Sequence, residues 1–227
     1  MPRGLLIVFE GPEGAGKSTQ LRLLAESLGA SGANVVAVRE PGGTVVGDEI
    51  RRILLDPESD IVPRSEALLF MASRAQLVER EIEPALEEGA IVLVDRFFLS
   101  TYAYQGAGRG LPEAELRQAN VMATGALVPD LTLLLTIPAE AGLARAQRRG
   151  QHDRMERAEL EFHERVARAF ERFATESWQR VHPECGPIVL IDGGGSAEEV
   201  CRRVFTVLHS RWPGSFPSGP ASLALGE

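Results

Sequence analysis

Residues 11–18 read GPEGAGKS, the spacing G-x-x-x-x-G-K-[ST]. Glycines at this spacing let successive backbone N–H groups turn inward around a phosphate. Lys17 would bring a mobile point charge to the outer phosphates of a nucleotide, and Ser18 a hydroxyl for Mg²⁺. Composition sharpens the point. Lys17 is the only lysine in the chain, and every other one of the 24 basic residues is arginine. A guanidinium is too wide and planar for such a socket, whereas an ammonium is compact with three rotatable donors. A chain that uses arginine wherever a generic cation suffices therefore keeps lysine at this position.

Four further segments carry chemistry. REPGGT (39–44) places Arg39 just after a predicted strand. LLFMASR (68–74) puts Phe70 and Arg74 four residues apart on one helix face, an aromatic plane beside a guanidinium that could stack a base and bond its edge. DRFFLSTYAYQGAGRG (95–110) offers Asp95 as a carboxylate for Mg²⁺ or its water and Arg96 for phosphates. RRGQHDRMER (148–157) is a basic turn between two helices. Taken singly, each has a plainer reading: Arg39 as half of a surface ion pair, Phe70 as core, the Asp95-Arg96 pair as structural, the basic turn as a solvated face. Their joint placement near strand ends favours a site.

The elements that must position these residues alternate between strand and helix. Continuous apolar runs at 5–9 (LLIVF), 91–94 (IVLV), 131–135 (LTLLL) and 188–191 (IVLI) read as strands buried on both faces, and a shorter, β-branched run at 35–38 (VVAV) as a fifth strand. Helical patterns occupy 17–28, 65–88, 113–125, 139–149, 156–180 and 197–211, with Pro84 at a kink and Pro112 at a helix start. This order predicts an α/β fold, a parallel sheet with helices on both faces and ligands at the carboxyl ends of the strands. One domain over 1–211 is expected, with a flexible Pro/Gly/Ser-rich tail at 212–227.

Other classes fall away. The net charge of −8 argues against a nucleic-acid binder. No apolar run approaches the ~20 residues of a membrane helix, so a cytoplasmic protein is expected. Two distant cysteines, Cys185 and Cys201, and four scattered histidines give no zinc spacing. A guanine-reading N-K-x-D segment cannot exist when the lone lysine is at 17. Residues 192–195 (DGGG) come too late for a switch motif, and Gly106, Gly108 and Gly110 lack the strand-turn-helix context of a dinucleotide fold.

The chain resembles the bacterial thymidylate kinases. FEGPEGAGKST (9–19), REPGGT, LLFMASRAQ (68–76), the 95–110 segment and DRME (153–156) carry the resemblance, which spans residue 5 to about 180. It implies a five-stranded parallel sheet of order 2-3-1-4-5 in three layers, a phosphate-loop kinase fold with a helical lid at about 145–157, and a homodimer. The implied activity is γ-phosphoryl transfer from ATP to dTMP with Mg²⁺, without nucleic acid or membrane. Gly11, Pro12, Glu13, Gly14, Ala15, Gly16, Lys17, Ser18 and Thr19 would hold ATP, and Ser18 and Asp95 the metal, partly through water. Phe70 would stack thymine, and Arg74 would bond its carbonyl edge. Glu13 would approach the sugar hydroxyl, Arg39 and Arg96 would hold the acceptor phosphate, and Ser100, Thr101 and Gln105 would line the pocket. Tyr104 would crowd a ribose 2′-hydroxyl. Some relatives carry an arginine in the loop where this chain has Gly14. The lid is therefore expected to supply the transition-state cation, chiefly through Arg149 and Arg154.

Overall fold

The computed structural model describes residues 3–138, 141–142, 144–145, 154–155 and 160–220. Five strands form one sheet: β1 (Leu5–Glu10), β2 (Val35–Arg39), β3 (Ile91–Asp95), β4 (Leu131–Thr136) and β5 (Ile188–Asp192). Every pairing is parallel and the order is β2-β3-β1-β4-β5, as expected. The helices are α1 (Lys17–Ala30), α2 (Val45–Leu55), α3 (Pro63–Leu77), α4 (Glu83–Glu87), α5 (Phe98–Thr101), α6 (Glu113–Thr124), α7 (Leu160–Phe173), α8 (Glu176–Val181) and α9 (Ala197–Arg211).

Because strand side chains alternate, the apolar runs feed two core layers. Leu6, Val8, Val92, Val94 and Leu134 pack with Leu77, Leu86, Leu116 and Phe170 on one face. Ile7, Phe9, Leu93, Leu133 and Leu135 pack with Leu24, Val204 and Phe205 on the other. Burial on both sides is why these strands read as unbroken hydrophobic stretches.

Several boundaries differ from expectation. Helix α2 was not anticipated, since Gly47 and paired valines weaken its local signal; its start is fixed by Thr44, whose hydroxyl accepts the Gly47 N–H at 2.9 Å. The helix expected over 65–88 is three pieces: α3, a π-turn at Val78–Ile82, and α4. Pro84 has no N–H to return to the turn before it, and the chain widens there. A second π segment, Tyr102–Gly108, continues α5. The helix expected to end at 180 breaks before Thr175, which caps α8. The expectation of a flexible tail from 212 does not hold for its first residues. Phe216 is 1% exposed and lies in the α9 core layer. Its N–H reaches the Trp212 carbonyl at 3.0 Å, and its own carbonyl meets His209 Nδ1 at 2.8 Å. Residues 221–227 of that tail, and most of the helix expected at 139–149, lie outside the described residues.

Candidate active site

Strand register builds the site. Arg39 lies opposite Asp95, and Asp95 opposite Phe9, so three neighbouring strands end level. The phosphate loop, REPGGT and the Asp95-Arg96 pair therefore leave one edge of the sheet together. They open onto a cleft of about 1310 Å³. Glu13 to Thr19 wall one part of it; Arg39, Phe70, Arg74, Asp95, Arg96, Ser100, Thr101, Tyr104 and Gln105 wall another. Gly11 and Pro12 are not wall residues. Their carbonyls instead accept Lys17 Nζ at 2.9 and 2.8 Å.

The loop cannot carry a side chain at position 14. Gly14 has φ +72°, and a Cβ there would stand 2.1 Å from the Gly142 carbonyl oxygen. The backbone at Gly142 thus sits directly on the loop. Lys17 itself is buried. Desolvation, helped by the Arg96 charge and opposed by Asp95, Glu13 and Glu10, lowers its pKa to about 7.

Arg96 is held at a positive φ of 71°. A non-glycine residue stays there only when its surroundings fix it. Its N–H bonds the Phe9 carbonyl at 2.9 Å. Glu10, fully buried, accepts the N–H groups of Phe97 (2.7 Å) and Ser100 (3.0 Å) and the Ser100 hydroxyl (2.7 Å). Arg96 Nη1 then donates to the same hydroxyl at 3.0 Å, and its Cζ lies 5.1 Å over the Tyr104 ring. Burial raises the Tyr104 pKa, keeping the phenol neutral.

Arg74 is 2% exposed, and all five of its N–H groups have partners. Nε and one Nη2 hydrogen meet the Glu40 carboxylate at 2.6–3.0 Å. The other Nη2 hydrogen meets the Phe97 carbonyl at 2.9 Å, and Nη1 meets Thr101 Oγ1 at 3.0 Å and Asn120 Oδ1. Burial pushes the Glu40 carboxyl up, against the pull of Arg74. The guanidinium is a fixed wall of the pocket rather than a loose arm.

Two oxygen groups fit a cation. Ser18 Oγ donates to Asp95 Oδ2, and Asp95 Oδ1 is buried without a hydrogen-bond partner in the structure. Among the described residues no cluster of three His, Cys, Asp or Glu could hold a metal alone. A hydroxyl and one carboxylate suit a hard ion that takes its remaining oxygens from phosphates and water.

Of the expected lid cations, Arg149 lies outside the described residues. Arg154 is described but does not line the cleft; its Nη2 meets buried Glu66 at 2.7 Å and its Nε the Leu54 carbonyl at 2.8 Å. Several wall residues escaped the sequence reading. Arg51, whose Nη1 bonds the Pro41 carbonyl at 2.9 Å, was hidden in the unrecognised α2. Beside Arg145, the first residue of the expected lid, Gly193, Gly195, Ser196, Ala197 and Val200 form the wall beyond the loop. A signal for the last four was present: Ser196 and Glu199 make a capping box that starts α9 at the cleft.

A phosphate loop on a 2-3-1-4-5 parallel sheet, with a second arginine-lined pocket in the same cleft, defines a nucleotide kinase of the phosphate-loop class. The thymidylate kinase family model matches residues 9–184. The thymidylate kinase of Deinococcus radiodurans is 52% identical over 180 residues, covering 79% of this chain and 87% of that one. That of Synechococcus sp. (strain JA-3-3Ab) is 46% identical over 213 residues, covering 94% and 99%. A crystal structure of thymidylate kinase from Ehrlichia chaffeensis superposes with TM-score 0.71 at 30% identity, over 92% of this chain and 100% of the other. The chain belongs to the thymidylate kinase family.

Proposed function

We propose that the cleft binds ATP on the phosphate loop and dTMP in the Phe70 pocket, and transfers the γ-phosphoryl group to give dTDP and ADP. The observation that carries this is the single cleft joining Lys17 to Phe70, Arg74 and Tyr104 through Arg39 and Arg96. Transfer of this kind needs two anions held in line and their charge neutralised, with no nucleophilic side chain. The acceptor phosphate oxygen is the nucleophile.

The loop N–H groups and Lys17 hold the donor phosphates, while Gly195 to Ala197 and Arg145 flank its base end. Arg39 and Arg96 hold the acceptor phosphate, with Glu10 fixing Arg96 through Ser100. Phe70 stacks the thymine, and Arg74 meets its carbonyl edge by sharing a donor now given to Thr101 or Asn120. Thr101 and Gln105 line the base pocket, Glu13 approaches the sugar hydroxyl, and Tyr104 fills the place of a ribose 2′-hydroxyl. Ser18 and Asp95 hold Mg²⁺, which when bound neutralises and orients the phosphate oxygens. Arg149 supplies the cation for the migrating group, since Gly14 leaves no room for one on the loop.

The working unit is a homodimer. Val45 and Ile53 on α2, Leu68 on α3 and Met122 on α6 are exposed apolar residues, a feature that suits contact with a second copy. No helix among the described residues is long and apolar enough to cross a membrane. The enzyme works in the cytoplasm on free nucleotides. ADP release with dTMP, thymidine, dUMP, CMP or no acceptor tests the reading. Strong stimulation by dTMP alone is expected; equal release without acceptor would refute it.

A further inference from the structure

Glu66 stands on α3 one helical turn before Phe70, with its side chain fully buried. A carboxylate removed from water is costly unless partners occupy its oxygens. Here donors from two other regions do so. Oε1 accepts Gln105 Nε2 at 2.9 Å and Arg109 Nε at 3.3 Å. Oε2 meets Arg109 Nη2 at 3.1 Å and Arg154 Nη2 at 2.7 Å. Gln105 lines the cleft, and Arg154 belongs to the turn at Arg154–Met155.

Arg154 is tied down again at the end of α2. Its Nε reaches the Leu54 carbonyl at 2.8 Å and its backbone N–H the Leu55 carbonyl at 3.1 Å. Carbonyls at a helix C-terminus lack partners within the helix, and a cation suits them. Both guanidinium groups also lie against the Met155 sulfur, at 3.5 Å from Arg154 and 3.9 Å from Arg109, and Met155 lines the cleft. Arg109 in turn lies 4.6 Å over the Phe162 ring, which packs 6.1 Å from Tyr104. Glu66 is the anion that both guanidinium groups share.

We propose that Glu66 is a positioning residue that locks the Arg154–Met155 turn to the acceptor pocket, and that Arg154 serves the reaction through Glu66 rather than by touching nucleotide. The inference rests on the reading of the cleft as the ATP and dTMP site. Loss of the contact loosens Gln105 and Met155 together, so it is felt by the acceptor and not by the donor.

The test is a double-mutant cycle of Glu66→Gln and Arg154→Met, with KM for dTMP, KM for ATP and kcat measured on each variant and thermal melts run alongside. Each single change is expected to raise KM for dTMP about tenfold, to leave KM for ATP within about twofold, and to lower kcat by less than about tenfold. The double variant is expected to be no worse than the worse single. Arg154→Lys, which can still reach Glu66, is expected to stay within about threefold of the parent. If Glu66→Gln does not fold, the Lys and Met variants decide alone. A loss of about 10² or more in kcat with KM for dTMP unchanged would make Arg154 a direct transition-state cation and overturn the proposal. Additive losses in the double variant, or an unaltered Arg154→Met, would overturn it equally. The parent enzyme in the same assay separates the two readings: transfer to an acceptor other than dTMP defeats the dTMP assignment, while the Glu66–Arg154 coupling is still scored on that acceptor.

Discussion

At the phosphate loop the cleft is walled by main chain. Gly14 lies against the Gly142 carbonyl, the Gly11 and Pro12 carbonyls anchor Lys17, and one lysine carries the charge. Around Phe70, Arg74 and Tyr104 the wall is side chains held by other side chains. Glu40 grips Arg74, Glu10 fixes the turn after Arg96, and Glu66 gathers Gln105, Arg109 and Arg154. A backbone cradle binds any polyphosphate and is specified by a short stretch of sequence. A side-chain lattice is specified by residues far apart in sequence and can be shaped to one nucleoside.

That contrast predicts different failures. Glu40→Gln would leave the Arg74 guanidinium buried without its counter-charge, so a loss of about 3–5 kcal/mol in unfolding free energy is expected by chemical denaturation. Lys17→Ala should leave the unfolding midpoint near that of the parent while kcat/KM falls by at least about 10²–10³. Lys17→Arg should be nearly as damaging, because width rather than charge is at fault. A stable, active Glu40→Gln variant, or an active Lys17→Arg variant, would break the comparison.

Smaller effects sharpen it. Phe70→Ala should weaken dTMP binding by about 1–3 kcal/mol in calorimetry with ATP affinity unchanged. A melted fold with retained dTMP affinity per folded molecule would return Phe70 to the core. The donor half should also show a proton linkage. With its pKa near 7, Lys17 is largely neutral in the empty site at pH 8 and charged at pH 6. Binding a polyphosphate favours the charged form, so ADP binding at pH 8 should take up close to one proton, and affinity should fall as pH rises above about 7. Calorimetry in buffers of different ionisation enthalpy reads this directly; no uptake at pH 8 would contradict it. The smallest expected effect is at Tyr104. Tyr104→Phe should keep most of the preference for dTMP over its ribo-analogue, because bulk rather than hydrogen bonding excludes the 2′-hydroxyl.

The same contrast decides what could be read in advance. The loop, Lys17 and the five strands were legible because each depends on neighbours in sequence, although the edge strands β2 and β5 are only partly buried and Leu190 is exposed. Spacing and strand-end placement marked Phe70, Arg74 and Arg96 as site residues, the resemblance gave them roles, and the cleft does bring them together. The carboxylates that hold those arginines were not read. Glu40 sits 34 residues from Arg74, and Glu66 88 from Arg154, so no local pattern marks them. Helix α2, and with it Arg51, was lost because a Thr44 cap outweighs the poor helix formers that follow. Phe216 was lost because a Pro/Gly/Ser-rich context hides one aromatic that fills a core gap.

The central claim is that donor and acceptor meet in one cleft and exchange a phosphoryl group. Phosphorus NMR of the full chain with Mg²⁺, ATP and dTMP tests it most directly. The account predicts that ADP and the β-phosphorus resonance of dTDP rise together, one for one, with no inorganic phosphate. Inorganic phosphate accumulating in place of dTDP, or ADP formed at the same rate without dTMP, would contradict it.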